Sequence, residues 1–213
     1  MTRRPENEAE LQKREADGVI RASRFVRELA KSPEPITLKN ICAVHREIFR
    51  EAWPEIAGVY RVEDLNITDS DLLLPHHTEV EGLMLVFGRE LDIRFVKLKS
   101  IAVIFLVTTE PTEDELYRLD EIVESSAWAH HQITKIHPFR EGNGRTARLL
   151  ANLILQKYGL MGISVKIERE NKNRYRSALA HADKTSDLEQ LKSLIYDGLF
   201  DRFNGDPMKY VKG

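Results

Sequence analysis

Apolar residues return every three or four positions along almost the entire chain, and that spacing commits it to helices packed on one another rather than to a sheet. Residues 8–31 carry Leu11, Val19, Ile20, Ala22, Phe25, Val26 and Leu29 in this pattern, and Pro33 and Pro35 end the helix. Thr37 is placed to cap a second helix with Leu38, Ile41, Val44, Ile48 and Phe49 on one stripe. A turn over 53–61 follows, and residues 62–76 predict a short β-hairpin or ordered loop ending at Pro75. From Thr78 to Phe95 the spacing is helical again, whereas residues 96–108, rich in β-branched side chains, fit either a buried helix or a strand. The strongest helix is 112–136, where Thr112 and Glu115 form a capping box ahead of a stripe from Leu116 to Ile136. Pro138 interrupts it. A helix from near Asn143 to Tyr158 stops at Gly159, and its segment ARLLANLIL is apolar nearly all round, which predicts a central position. Residues 171–184 and 186–203 predict two more helices.

No repeat or linker divides the 213 residues, so one mostly helical domain with a single core is expected. Lys plus Arg total 32 and Asp plus Glu 34, a balance that argues against nucleic acid or an anionic membrane as partner. The one cysteine, Cys42, falls on an apolar helical stripe and can form no internal disulfide, which fits a reducing compartment. The N-terminus lacks the apolar core of a signal peptide, and the longest apolar run, Ile101 to Val107, is too short to span a bilayer. A cytoplasmic protein is expected.

The chemistry is concentrated between the two clearest helices, in HPFREGNGRTAR, residues 137–148. A glycine-rich turn leading into a helix aims unpaired backbone N–H groups at one point, an arrangement that binds phosphate. Arg145 and Arg148, three residues apart, can grip further phosphates. Glu141 would repel phosphate alone but is useful as a ligand to Mg²⁺. His137 is the side chain suited to accept a proton near neutral pH. Together these describe phosphoryl or nucleotidyl transfer to a hydroxyl group.

The segment resembles the Fic family signature H-x-F-x-[D/E]-G-N-G-R-x-x-R at every fixed position, a match expected by chance in roughly one chain in 10⁸. Residues 45–61 are similar to the family's helix and turn before the active site, LLLPHHTEV (72–80) to its flap, and 170–183 to its downstream segment. The resemblance implies a mostly helical, all-α Fic fold with a short β-hairpin flap over the site. It divides the chain into an N-terminal helical segment (1–35), a Fic domain (36–205) and a tail (206–213). It implies a protein adenylyltransferase that moves AMP from ATP, with Mg²⁺, onto a Ser, Thr or Tyr hydroxyl of a target protein and releases pyrophosphate.

In that family pattern His137 is the general base, Phe139 a core anchor and Glu141 the Mg²⁺ ligand. Gly142, Asn143 and Gly144 form the anion hole, with the Asn143 side chain contributing. Arg145 and Arg148 bind the outer phosphates, and Tyr175 contacts adenine. Leu73, Leu74 and Pro75 form a flap that pairs with an extended target segment. Trp53 is separated from Ala57-Gly58 by three residues, where many relatives have Pro-Trp-Ala-Gly. The alternatives are transfer of another nucleotide or phosphate group, as by a Doc-like kinase toxin, or a silent nucleotide-binding regulatory module. The Doc branch carries Lys at the second glycine of the loop; Gly144 therefore favours AMP transfer. Many Fic proteins are restrained by a helix bearing [S/T]-x-x-x-E-[G/N], a string that Thr2 to Asn7 fits, making Glu6 a candidate autoinhibitory residue. Otherwise an antitoxin-like inhibitory partner would supply the brake, or the enzyme would be unrestrained. The pairs His76-His77 and His130-His131 have no acidic partner at ligand spacing, and neighbours on a helix point about 100° apart, so no structural zinc is expected; the first pair would line the flap.

Overall fold

The computed structural model describes residues 3–67, 72–100, 112–163 and 169–202. Seven α-helices hold these together: α1 (Glu8–Lys31), α2 (Leu38–Phe49), α3 (Val80–Ser100), α4 (Glu113–Ile136), α5 (Asn143–Lys157), α6 (Arg169–Thr185) and α7 (Glu189–Arg202). Single 3₁₀ turns occur at Pro54–Ile56 and His77–Glu79. Three of the long helices begin as their sequences dictate. The Asn7 side chain caps α1, Thr37 caps α2 in a box with Asn40, and Thr112 caps α4 in a box with Glu115. Such caps contribute about 1 kcal/mol each.

α5 is the central element. Asn143, Thr146, Ala147, Leu149, Leu150, Ala151, Leu153, Ile154 and Leu155 are all buried, so nearly its whole circumference is covered. α4 packs along it most extensively, α1 lies on its other side, and α2 packs on both α1 and α5. Phe49, Phe87, Met84, Leu91 and Phe139 fill the centre. The junction of α1 and α2 is tight enough to exclude any side chain at Gly18, where a Cβ would fall 1.9 Å from the Ile48 carbonyl oxygen. A glycine inside a helix costs roughly 1 kcal/mol of propensity, and here the close approach of two backbones requires it.

Two sequence expectations end at the edge of what is described. α3 runs as helix to Ser100, so the ambiguous stretch 96–108 begins helical, and residues 101–111 lie outside the described residues. No strand occurs among the described residues, and residues 68–71, the middle of the expected hairpin, lie outside them. The flanks of that segment are joined by a side chain: the Arg61 guanidinium donates to the carbonyls of Glu63 (3.0 Å) and Pro75 (2.6 Å), tying both arms to one group. No helix is long and apolar enough to cross a membrane among the described residues.

Candidate active site

α4 ends on His137, which adopts the left-handed conformation (φ 52°, ψ 56°) while its N–H still closes on the Ile133 carbonyl. A non-glycine residue in that region is uncommon and costs on the order of 1 kcal/mol, so the surroundings must hold it. They do so from both ends. The His137 carbonyl accepts from Arg61 Nε at 2.8 Å, and the next carbonyl, Pro138, accepts the Arg61 backbone N–H at 2.8 Å. Imidazole Nδ1 lies 3.2 Å from the Thr134 carbonyl. A carbonyl can only accept, so Nδ1 carries the proton and Nε2 keeps a lone pair. Burial pushes the His137 pKa below the usual histidine value, against the pull of the Thr134 carbonyl; Arg61 pushes it down further, and the nearby Glu141 charge opposes this. The ring is thus neutral at pH 7, with one nitrogen ready to take a proton.

The turn beyond it is pinned by buried groups. The Phe139 ring is fully buried and stacks on His45 at 3.9 Å and 8°. His45 has a fixed tautomer: the Gly58 N–H donates to Nδ1 (2.9 Å), so Nε2–H donates to the Glu141 carbonyl (3.0 Å). Burial lowers the His45 pKa to about 4, so it acts as a neutral strut. The Asn143 side chain donates to the Phe139 carbonyl (2.7 Å) and accepts the Phe139 N–H (2.9 Å). That side chain is engaged in closing the loop, and what Asn143 presents at the helix start is its backbone N–H. Gly142 has φ 77°, and a Cβ there would lie 2.3 Å from the Phe49 ring, so both conformation and space demand glycine.

α5 starts at Asn143 with no side-chain cap, unlike α1, α2 and α4. Its first N–H groups, with the positive end of the helix dipole behind them, suit an anion. Glu141 stands beside this turn, half-exposed, with Oε1 accepting from the Gly142 N–H (2.8 Å) and Arg145 Nη2 (3.3 Å). A carboxylate oriented at the mouth of an anion site is suited to hold a Mg²⁺ that an incoming phosphate group shares.

The two arginines of the motif diverge. Arg145 lies over the Phe49 ring at 4.9 Å and pairs with Glu15 of α1 at 2.6 Å. Arg148 turns toward α6 and α7, where it lines a narrow pocket with His130, Tyr175, Leu191 and Ile195. It bonds the Tyr175 hydroxyl, whose oxygen is also 3.1 Å from His130 Nε2. A Cβ on Gly144 would stand 3.4 Å from Arg148 Nη1, so this guanidinium also reaches back across the start of α5. Tyr175 therefore belongs to the motif's surroundings through Arg148. On the flap side, Leu73 is 90% exposed, Leu74 and Pro75 are half-buried, and Pro75 is held by Arg61. Glu6 is exposed in the bend before the Asn7 cap, and Thr2 lies outside the described residues.

Three residues that sequence reasoning passed over do structural work here. Arg61, its side chain fully buried, joins the turn to the flap; His45 supports the Glu141 peptide; Glu15 holds Arg145. Arg61 and His45 fall inside the stretch 45–61 that carries the resemblance, so their positions were visible. Glu15 was one of many acids on a charged helix and carried no signal of its own.

Known proteins resemble this chain in sequence and in fold. The model of the Fic/DOC family matches residues 35–155. The protein adenylyltransferase Fic of Nematostella vectensis is 29% identical over 175 residues, covering 81% of this chain and 36% of the relative. The adenylyltransferase fic-1 of Caenorhabditis elegans is 27% identical over 140 residues, covering 66% and 23%. The chain thus spans about a third or less of the length of these curated relatives. Among solved structures, a fragment of Fic-1 from C. elegans aligns with TM-score 0.65 at 24% identity, over 88% of this chain and 49% of that one. BepC of Bartonella tribocorum with bound AMPPNP aligns with TM-score 0.64 at 16% identity, over 91% and 88%. At these identities the structural likeness establishes a shared fold.

Proposed function

The chain belongs to the Fic/DOC family, and from that premise we propose that it is a protein adenylyltransferase that transfers AMP from ATP to a hydroxyl group of a target protein. The observation that carries the proposal is His137: a neutral imidazole whose Nδ1 proton is held by the Thr134 carbonyl, leaving Nε2 as acceptor, beside an uncapped helix start. The relatives named protein adenylyltransferase and the AMPPNP bound to BepC support ATP as the donor.

His137 Nε2 takes the proton of the acceptor hydroxyl. The oxygen then bonds to the α-phosphorus of ATP, and the bond from that phosphorus to the bridging oxygen of pyrophosphate breaks. The N–H groups of Asn143 and Gly144 at the start of α5, with that of Gly142 once its bond to Glu141 Oε1 is released, stabilise charge on the phosphate oxygens. Arg145 and Arg148 hold the departing phosphates, and Tyr175 orients Arg148 at the edge of the nucleotide pocket. Glu141 holds Mg²⁺, which when bound neutralises phosphate charge. Leu73, Leu74 and Pro75 present extended backbone to the target chain. A Cβ at Gly144 would only just touch the Arg148 guanidinium, at 3.4 Å. The balanced net charge and the single cysteine fit action on proteins in a reducing compartment such as the cytoplasm.

Intact-mass spectrometry after incubation with Mg²⁺ and ATP tests the proposal on the chain itself and on candidate targets. Wild type should gain one AMP mass or place it on a target. His137→Ala should lose about 10²- to 10⁴-fold in rate, the usual contribution of a general base, while still binding ATP. A phosphate adduct instead of AMP, or equal rates in the two proteins, would refute it.

A further inference from the structure

Outside the motif, the fold gathers three metal-binding side chains that lie apart in sequence. Asp64 stands on the arm leaving Arg61, and His76 and His77 stand on the arm that enters α3. His76 Nε2 lies 3.2 Å from Asp64 Oδ2, and His77 Nδ1 lies 3.2 Å from Asp64 Oδ1. The three ligand atoms fall within 4.8 Å of one another. Zinc bonds nitrogen and oxygen at about 2.0–2.2 Å, so two ligands on a tetrahedral ion stand roughly 3.3 Å apart. The two nitrogen–oxygen separations lie near that value, one to each oxygen of the carboxylate, and the His77 contact is a hydrogen bond in this structure.

The expectation that neighbouring histidines diverge fails here for a local reason. His76 precedes the 3₁₀ turn with extended backbone (φ −59°, ψ 144°), and His77 opens the turn, so both rings reach one carboxylate. They use opposite ring positions, and their centroids are 4.3 Å apart.

The surroundings hold all three in place. The His76 N–H donates to Glu79 Oε2 (2.9 Å), and the His77 N–H donates to Asp64 Oδ1 (2.8 Å). His76 Nδ1 is 2.8 Å from the Thr78 hydroxyl. The Thr78 backbone N–H also donates to Nδ1 (3.4 Å), so Nε2 carries the proton toward Asp64, and a metal ion bound there would displace it. Arg61, 3.8 Å from Asp64, already binds three carbonyls. Two imidazoles and one carboxylate, half-exposed with room for water, are a donor set for a borderline transition ion, not for Mg²⁺.

We propose that Asp64, His76 and His77 form a site for one transition-metal ion, Zn²⁺ foremost, that clips the two arms of the flap together at their base. The ion would add to the links that already join these arms, Arg61 to Pro75 and the His77 N–H to Asp64. The site is distinct from Glu141 and does not depend on the assigned transfer reaction.

The test uses the full chain, free of any polyhistidine tag and treated with chelator. Titration with ZnCl₂ by calorimetry should show one equivalent bound, and CoCl₂ should give the visible absorption of a four- or five-coordinate ion. His76→Ala, His77→Ala and Asp64→Asn should each weaken binding at least tenfold. Glu141→Gln and His181→Ala, the latter removing an exposed imidazole paired with Asp187, should leave it unchanged. Zn²⁺ should slow hydrogen exchange across residues 62–67 and 72–77 in wild type and not in the variants. These side chains are at the surface, and unchanged melting of the metal-free variants will confirm their folding. Failure to take up stoichiometric Zn²⁺, or wild-type affinity in all three single variants, would overturn the proposal.

Discussion

Arg145 is the residue whose surroundings carry most information about control. Its guanidinium is satisfied by Glu15 of α1 and by Glu141, and both carboxylates would compete with phosphate for it. Both partners of the Glu15 pair are more than three-quarters buried, so the bond is less screened than a surface ion pair. Glu15→Gln should therefore free Arg145 and tighten nucleotide binding about 5- to 10-fold, equivalent to roughly 1–1.4 kcal/mol. Calorimetric titration with a non-hydrolysable ATP analogue measures this, and unchanged or weaker affinity would sink the idea. The acid met by the motif from α1 is thus nine residues beyond Glu6. A linear pattern locates an acid on a string; it does not say which turn of a 24-residue helix will face α5.

At the scale of elements, the fold depends on how closely α1 can approach α2. Gly18→Ala puts a methyl group against the Ile48 carbonyl, and two helices, each buried on one face, must separate. Overpacking of this kind costs about 1–3 kcal/mol. Urea denaturation should show the loss without a change in slope, and a stability equal to wild type would mean that α1 slides without cost. The helices themselves were legible because caps and stripes are local: Thr37, Thr112 and the apolar girdle of α5 predict what is observed. The signature was legible for the same reason, since its residues act within a dozen positions. Gly18, Arg61 and the Asp64–His76–His77 cluster were not, because each takes its meaning from contacts more than ten residues away. The β-hairpin expectation rested on composition and on the resemblance to the family's flap; among the described residues a buried guanidinium joins those arms.

For the molecule as a whole, the buried histidines tie stability to pH. His45 and His130 are lowered by burial to about 4 and about 3, against an ordinary value near 6.5. Between pH 6.5 and 4 the unfolded chain binds protons that the folded chain refuses, so stability must fall as pH falls through that window. His45 alone contributes on the order of 3 kcal/mol of this loss. Denaturation midpoints at pH 7 and pH 4.5 should differ accordingly, and equal midpoints would show that the rings accept protons in place. His45 and His130 both stand next to the motif, on Glu141 and on Tyr175. Acid should therefore loosen the site together with the core.

Arg61 has one guanidinium and three loads. It holds the carbonyl of the left-handed histidine, one arm of the flap and the other arm. On the proposed reading, anything that tugs on the flap is felt, through a single rigid plane, at the residue that accepts the proton. A docking polypeptide would discriminate itself in turnover more than in affinity, because a poor fit at the flap would leave the imidazole misaligned even when the chain has bound.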